Sequence, residues 1–164
     1  MAEIVSFNSL VIQIPLLKSQ KKKIVLVHGC FDVIHVGHAR LFKFAKKHGD
    51  ILVVGAINDA LVTHYKGATR PIFEIKDRLE MLAAFRDADY VFEFKVKVGT
   101  EEEIEQGHNE LYKKISPDVV ASAKCDKESE YKRKRCKKMG IKYFGGALVI
   151  ENKSSVIIRK IGLE

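Results

Sequence analysis

Residues 24–38 read Ile24-Val-Leu-Val-His-Gly-Cys-Phe-Asp-Val-Ile-His-Val-Gly-His38. The apolar run Ile24 to Val27 has the pattern of a strand buried on both faces of a parallel sheet. Just downstream, Leu41, Phe42 and Ala45 recur at helical spacing while Arg40, Lys43, Lys46 and Lys47 form a wet face, which predicts a helix. A second apolar run, Asp50-Ile-Leu-Val-Val-Gly-Ala-Ile57, supplies the next strand. Strand, helix, strand in that order is a right-handed crossover.

The alternation continues along the chain. A helix is predicted around Lys76 to Arg86, a strand at Tyr90 to Phe94, a helix around Glu102 to Lys114 and a strand at Asp118 to Ala121. A basic helix from about Ser129 to Lys138, a strand-like stretch from Ile141 to Phe144 and a last helix from about Ser154 complete the pattern. The expected fold is a single-domain α/β doubly wound parallel sheet, Rossmann-like, over residues 23–164. Ligands of such sheets sit at the carboxyl ends of the strands, where the strand order reverses. Residues 1–22 read as an N-terminal extension, and the alternation in Val5-Ser-Phe-Asn-Ser-Leu-Val-Ile12 predicts an edge strand or hairpin there.

Composition narrows the class. With 46% hydrophobic and 30% charged residues in 164, the chain is globular rather than disordered. Twenty-nine Lys and Arg against 21 Asp and Glu leave a net charge of +8. Lys21 to Lys23 and Lys132 to Lys138 supply much of it, either as solvated faces or as surfaces for polyanions, phosphorylated metabolites included. Cys30, Cys125 and Cys136 form no C-x-x-C pair, which favours a reducing, cytoplasmic setting. The apolar stretch Leu10 to Leu17 is interrupted by Gln13 and Pro15 and is neither a leader nor a membrane span.

The segment Gly29 to His38 carries the chemistry. Gly29 suits a sharp turn at the strand end, and Gly37 leaves room for a ligand against the main chain. The unpaired amides of the following helix make an anion site. His35 and His38, three residues apart, share one helical face and can donate to phosphate oxygens. Read as metal ligands, Cys30, His35 and His38 lack a fourth partner, so no metal site is expected.

The string G-C-F-D-x-x-H-x-G-H, followed by Ala45-Lys-Lys-His-Gly-Asp50, resembles the cytidylyltransferase-like nucleotidyltransferases from about Lys23 to Ile161. Lys66-Gly-Ala-Thr-Arg-Pro71, Arg78 in its helix, Ala88 to Phe94, Ser116 to Val120 and Ser154 to Ile161 resemble, in order, segments of bacterial heptose-1-phosphate adenylyltransferases. The resemblance implies transfer of a nucleoside monophosphate from ATP or CTP, with Mg²⁺, to a phosphorylated small molecule and release of pyrophosphate. It implies catalytic roles for His35, His38 and the triphosphate-reaching Lys66. It places Gly29, Cys30, Phe31, Asp32, Gly37, Asp126, Ser154 and Ser155 at the nucleotide, with Asp32 orienting a histidine or approaching the metal. Arg70 and Arg78 become phosphate or substrate contacts.

Two departures stand out. Ser122-Ala-Lys-Cys-Asp126 replaces a Lys-Gly-Gly-Asp-Tyr-like segment, and Lys153-Ser154-Ser155 replaces a Ser-Thr-Thr run. ATP with a sugar 1-phosphate such as a heptose 1-phosphate is favoured. The alternatives are a CTP-dependent enzyme acting on glycerol 3-phosphate or a phospho-alcohol, and a non-catalytic nucleotide-binding regulatory protein. Neither a membrane nor a nucleic acid is the expected partner, and a homodimer is implied only by analogy.

Overall fold

The structure, a computed structural model, describes residues 1–123, 127–146 and 154–162. In chain order the elements are β1 (Glu3–Ile4), α1 (Phe7–Ser19), β2 (Ile24–Gly29), α2 (Val36–Lys46), β3 (Ile51–Ile57), α3 (Asp59–Lys66) and α4 (Ile75–Ala83). There follow β4 (Tyr90–Phe94), α5 (Glu101–Ile115), β5 (Val119–Ala123), α6 (Lys127–Met139), β6 (Lys142–Gly146) and α7 (Ser154–Lys160).

The strands form one sheet in the order β1-β4-β3-β2-β5-β6, and every pairing is parallel. From β2 the chain steps outward through β3 to β4, then returns to the other side of β2 for β5 and β6. The order therefore reverses between β2 and β5, and the crevice at their carboxyl ends is the place such a sheet offers a ligand. Ile24, Val25, Leu26 and Val27 are at most 1% exposed, as a central parallel strand requires. Their side chains divide by pleat: Ile24 and Leu26 join the core with α1 and α5, while Val25 and Val27 join that with α2 and α4.

The N-terminal segment departs from expectation. The edge strand is confined to Glu3–Ile4, paired with Tyr90 and Val91, and the alternating stretch beyond it is helix α1. Ser6 caps that helix by accepting the Ser9 amide at 3.0 Å. Phe7, Leu10, Val11, Ile14 and Leu17 form a helical stripe against the core, with Leu10 and Ile14 at 0% and 3% exposure. The cap and this longer stripe outweigh a few residues of alternation. Helix α3, which the strand-and-helix reading did not anticipate, ends at Gly67, where φ is +97°.

Candidate functional site

At the carboxyl end of β2 the turn is made by Phe31, with φ of +49°, and not by Gly29 as expected. Gly29 is still in the strand, paired with Ala56, and a Cβ on it would meet the Phe31 ring at an ordinary 3.5 Å. A left-handed aromatic residue is strained, a condition that proteins concentrate at functional sites. The turn sets the buried Phe31 ring edge-on to His38, 5.3 Å between centroids.

His35 is the N-cap of α2. Its Nδ1 accepts the Gly37 amide at 3.1 Å, while Nδ1 of His38 accepts the His35 amide at 3.3 Å, so the two imidazoles build a reciprocal capping box. The rings stack at 3.9 Å. An Nδ1 that accepts a hydrogen bond carries no proton, so each neutral ring holds its proton on Nε2, which becomes a donor. Burial lowers the His35 pKa; burial and then the neighbouring His35 lower that of His38 to about 3. Both rings border a cavity of about 470 Å³, within the range of small-molecule sites.

Gly37, Lys66, Arg70 and Ser154 border the same cavity, as do Gly29, Cys30, Phe31 and Asp32. Lys66, at the exposed end of α3, owes its place to the helix that was not anticipated. The hydroxyl of Ser154 donates to the Val33 carbonyl at 3.0 Å, tying α7 to the loop before His35. Ser155 lies in α7, but its side chain falls outside the described residues, as does the whole of Asp126.

Two expectations need correction. Asp32, 1% exposed, does not orient a histidine. One carboxylate oxygen pairs with Nε of the buried Arg70 at 2.5 Å, and the other accepts the amides of Ile72 and Phe73 at 2.8 and 3.0 Å. Arg78 is fully buried and does not border the cavity. It donates to the carbonyls of Ile57 and Phe73 at 2.9 and 3.0 Å, to that of Cys30, and to the Asp59 carboxylate. It is a positioning residue that knots the ends of β2 and β3 to α3 and α4.

The basic run does not lie wholly on a solvated face. Lys132 is buried and donates to the His28 carbonyl at 2.8 Å, and buried Arg135 donates to Glu105 and Asn109. Lys132 borders the cavity, together with His28 and His108, which the sequence reading passed over. The available signal was the even pleat of β2: with Ile24 and Leu26 facing one core, His28 points the same way at the ligand end.

Among the described residues no group of three His, Cys, Asp or Glu is placed to hold a metal, and no helix is long and apolar enough to cross a membrane. The family model described as cytidylyltransferase-like matches residues 26–161. The chain is 36% identical over 119 residues to the bifunctional protein HldE of Sulfurimonas denitrificans, covering 73% of this chain and 23% of that protein. It is 46% identical over 77 residues to HldE of Geobacter metallireducens, covering 47% of this chain and 16% of that one. The chain thus spans about a quarter or less of these curated relatives. A lipopolysaccharide core biosynthesis protein from Thermoplasma volcanium superposes with a TM-score of 0.54 at 27% identity, over 74% of this chain and 92% of that one. Pantothenate synthetase from Thermus thermophilus has a TM-score of 0.66 at 14% identity, over 89% of this chain and 61% of that one, a likeness of fold alone. With most of its length matched and its paired histidines at the switch point of the sheet, the chain belongs to the cytidylyltransferase-like family of nucleotidyltransferases.

Proposed function

We propose that this chain transfers a nucleoside monophosphate from a Mg²⁺-bound nucleoside triphosphate to the phosphate of a small acceptor, releasing pyrophosphate. The observation that carries the reading is the pair of Nε2–H donors at the start of α2, beside a cavity large enough for a nucleotide. An acceptor phosphate oxygen attacks the α-phosphorus in line. The new P–O bond forms as the bond to the β-phosphate oxygen breaks, and the electron pair leaves with pyrophosphate. His35 and His38 donate to the oxygens on which charge develops, and they are fixed before the reaction by their own caps. Lys66 follows the charge of the leaving group.

Mg²⁺ belongs to the substrate in this scheme. Asp32, whose carboxylate is already engaged, is the one carboxylate of the described cavity lining, so the wall offers the ion no ligand set of its own. The N–H donors suit the phosphates, and the nucleotide brings the ion with it. ATP with a sugar 1-phosphate is the favoured pair, supported by the resemblance of Lys66 to Pro71 to heptose-1-phosphate adenylyltransferases and by the similarity to HldE.

The test is pyrophosphate release over ATP, CTP, GTP and UTP against a panel of phosphorylated sugars, polyols and phospho-alcohols. Turnover that disappears in His38→Ala is expected. Release with CTP and none with ATP overturns the choice of base. Tight nucleotide binding with no release under any acceptor, unchanged in His38→Ala, identifies a regulatory nucleotide-binding protein instead.

A further inference from the structure

Below the paired histidines the cavity reaches a second polar group. His28 from β2 shares a hydrogen bond of 3.0 Å between Nε2 and the Tyr112 hydroxyl. Its ring lies 5.4 Å from that of His108 on α5, and His108 in turn lies edge-on to Phe94 at 5.1 Å. Lys132, bonded to the His28 carbonyl, borders the cavity beside them. His108 is only 6% exposed, yet its buried Nδ1 has no hydrogen-bond partner among the described residues. An orphan buried nitrogen is costly, and a folded protein that keeps one at the wall of a ligand cavity invites a functional explanation.

We infer that His28, His108 and Lys132 form the floor of the acceptor subsite, reading the hydroxyls of an uncharged sugar or polyol moiety and rejecting cationic phospho-alcohols. The inference rests on the transferase reading and names the substrate class of that same cavity.

Direction comes first. An in-line displacement places acceptor and pyrophosphate on opposite sides of the α-phosphorus. In the transferase reading the triphosphate tail meets the Nε2–H donors at the start of α2, whose core residues pack on the sheet face of Val25 and Val27. His28 follows Ile24 and Leu26 on the opposite face, toward α5, which is the side left for the acceptor.

Chemistry selects the class. A neutral imidazole offers one donor and one acceptor, as a hydroxyl does, so the two satisfy each other. Charge excludes the alternative: Lys132 and Arg135 lie beside both histidines, Glu105 is engaged by Arg135, and Asp32 by Arg70. A trimethylammonium or ammonium head would meet cations and no uncommitted carboxylate among the described lining residues. Hydroxyl-rich acceptors meet neither obstacle.

The test uses the full chain, ATP and CTP, and pyrophosphate release with sugar 1-phosphates (mannose 1-phosphate among them), glycerol 3-phosphate, phosphocholine and phosphoethanolamine. Hydroxyl-bearing acceptors should turn over, and the two amines should not. His108→Leu, which removes the orphan nitrogen, should raise the acceptor KM about tenfold while leaving the nucleotide KM within about twofold. It should also melt higher than the parent, since an unsatisfied polar group is replaced by hydrocarbon. A residue serving stability alone would give no such opposed pair of effects. His108→Gln, which keeps a donor and an acceptor, should fall between the two, and it decides the matter if the leucine variant does not fold. An unchanged acceptor KM, a nucleotide KM that rises in parallel, or preference for phosphocholine overturns the inference while leaving the transferase reading intact. No release with any acceptor overturns both.

Discussion

The Nδ1 of His38 accepts the main-chain N–H of His35 at 3.3 Å, so the second histidine fixes the backbone of the first. Protonating that nitrogen would set N–H against N–H and undo the start of α2. The desolvation that lowers the His38 pKa to about 3 works in the same direction. In the proposed transferase the histidines therefore donate as neutral rings.

This has a kinetic consequence. If imidazolium were the donor, the rate would fall about tenfold per pH unit above the histidine pKa, near 6.5 when unperturbed. Neutral donors give a plateau, so log kcat should be level from pH 7 to 9. A decline across that interval following one histidine titration would contradict the tautomer assignment.

The two jobs of His38 can be separated. His38→Ala removes both the cap and the Nε2 donor, with a loss of about 1 kcal/mol of stability and on the order of 10²- to 10³-fold in kcat. His38→Asn keeps an acceptor near the Nδ1 position but does not reach the place of Nε2. Its melting temperature should return toward the parent value while kcat stays low. Recovery of both together would mean that capping, and not donation, is the residue's contribution.

What could be read in advance follows from how local the cause is. Strands β2 to β6, α2 and the histidine pair rest on patterns within fifteen residues and lie where the periodicity predicts, whereas the edge strand or hairpin expected over Val5 to Ile12 is helix α1. The family resemblance places Arg78 at the substrate; its partners in the structure include the carbonyls of Cys30 and Ile57, 48 and 21 residues away, which carry no sequence signal. Lys132 is a parallel case, a lysine within a basic run that a carbonyl 104 residues upstream draws into the interior. Asp126 and the 147–153 segment lie outside the described residues, so the sequence departures at Asp126 and Lys153 receive no structural reading.

The buried pair Asp32 and Arg70 gives a stability prediction. Both side chains are at most 3% exposed, and Asp32 also holds the Ile72 and Phe73 amides. Removing one partner leaves an uncompensated buried charge, which costs about 3–5 kcal/mol. Asp32→Ala and Arg70→Ala should each destabilise on that scale in urea denaturation. The double variant should lose less than the two singles combined, because neither charge is then stranded. Strict additivity would show that the pair is not coupled.

Acid stability depends on the histidines of the cavity floor. Burial first, and then the nearby cations, hold His28 well below its usual range and His108 at about 3. In the unfolded chain both titrate near 6.5. Their neutral forms are therefore no burden above pH 6.5, and stability is lost as pH falls from 6.5 toward 3, where the unfolded state binds protons that the native state refuses. At pH 5.5 His108 contributes a loss of about 1.4 kcal/mol relative to pH 8, and His28 acts in the same direction. Urea midpoints measured between pH 8 and 5 should fall accordingly, and His108→Leu should remove the part of the fall owed to His108. A variant whose midpoint falls as steeply as that of the parent would mean that His108 takes up its proton at the same pH in the native and unfolded states, and below that pH its ring would offer the acceptor two donors and no lone pair.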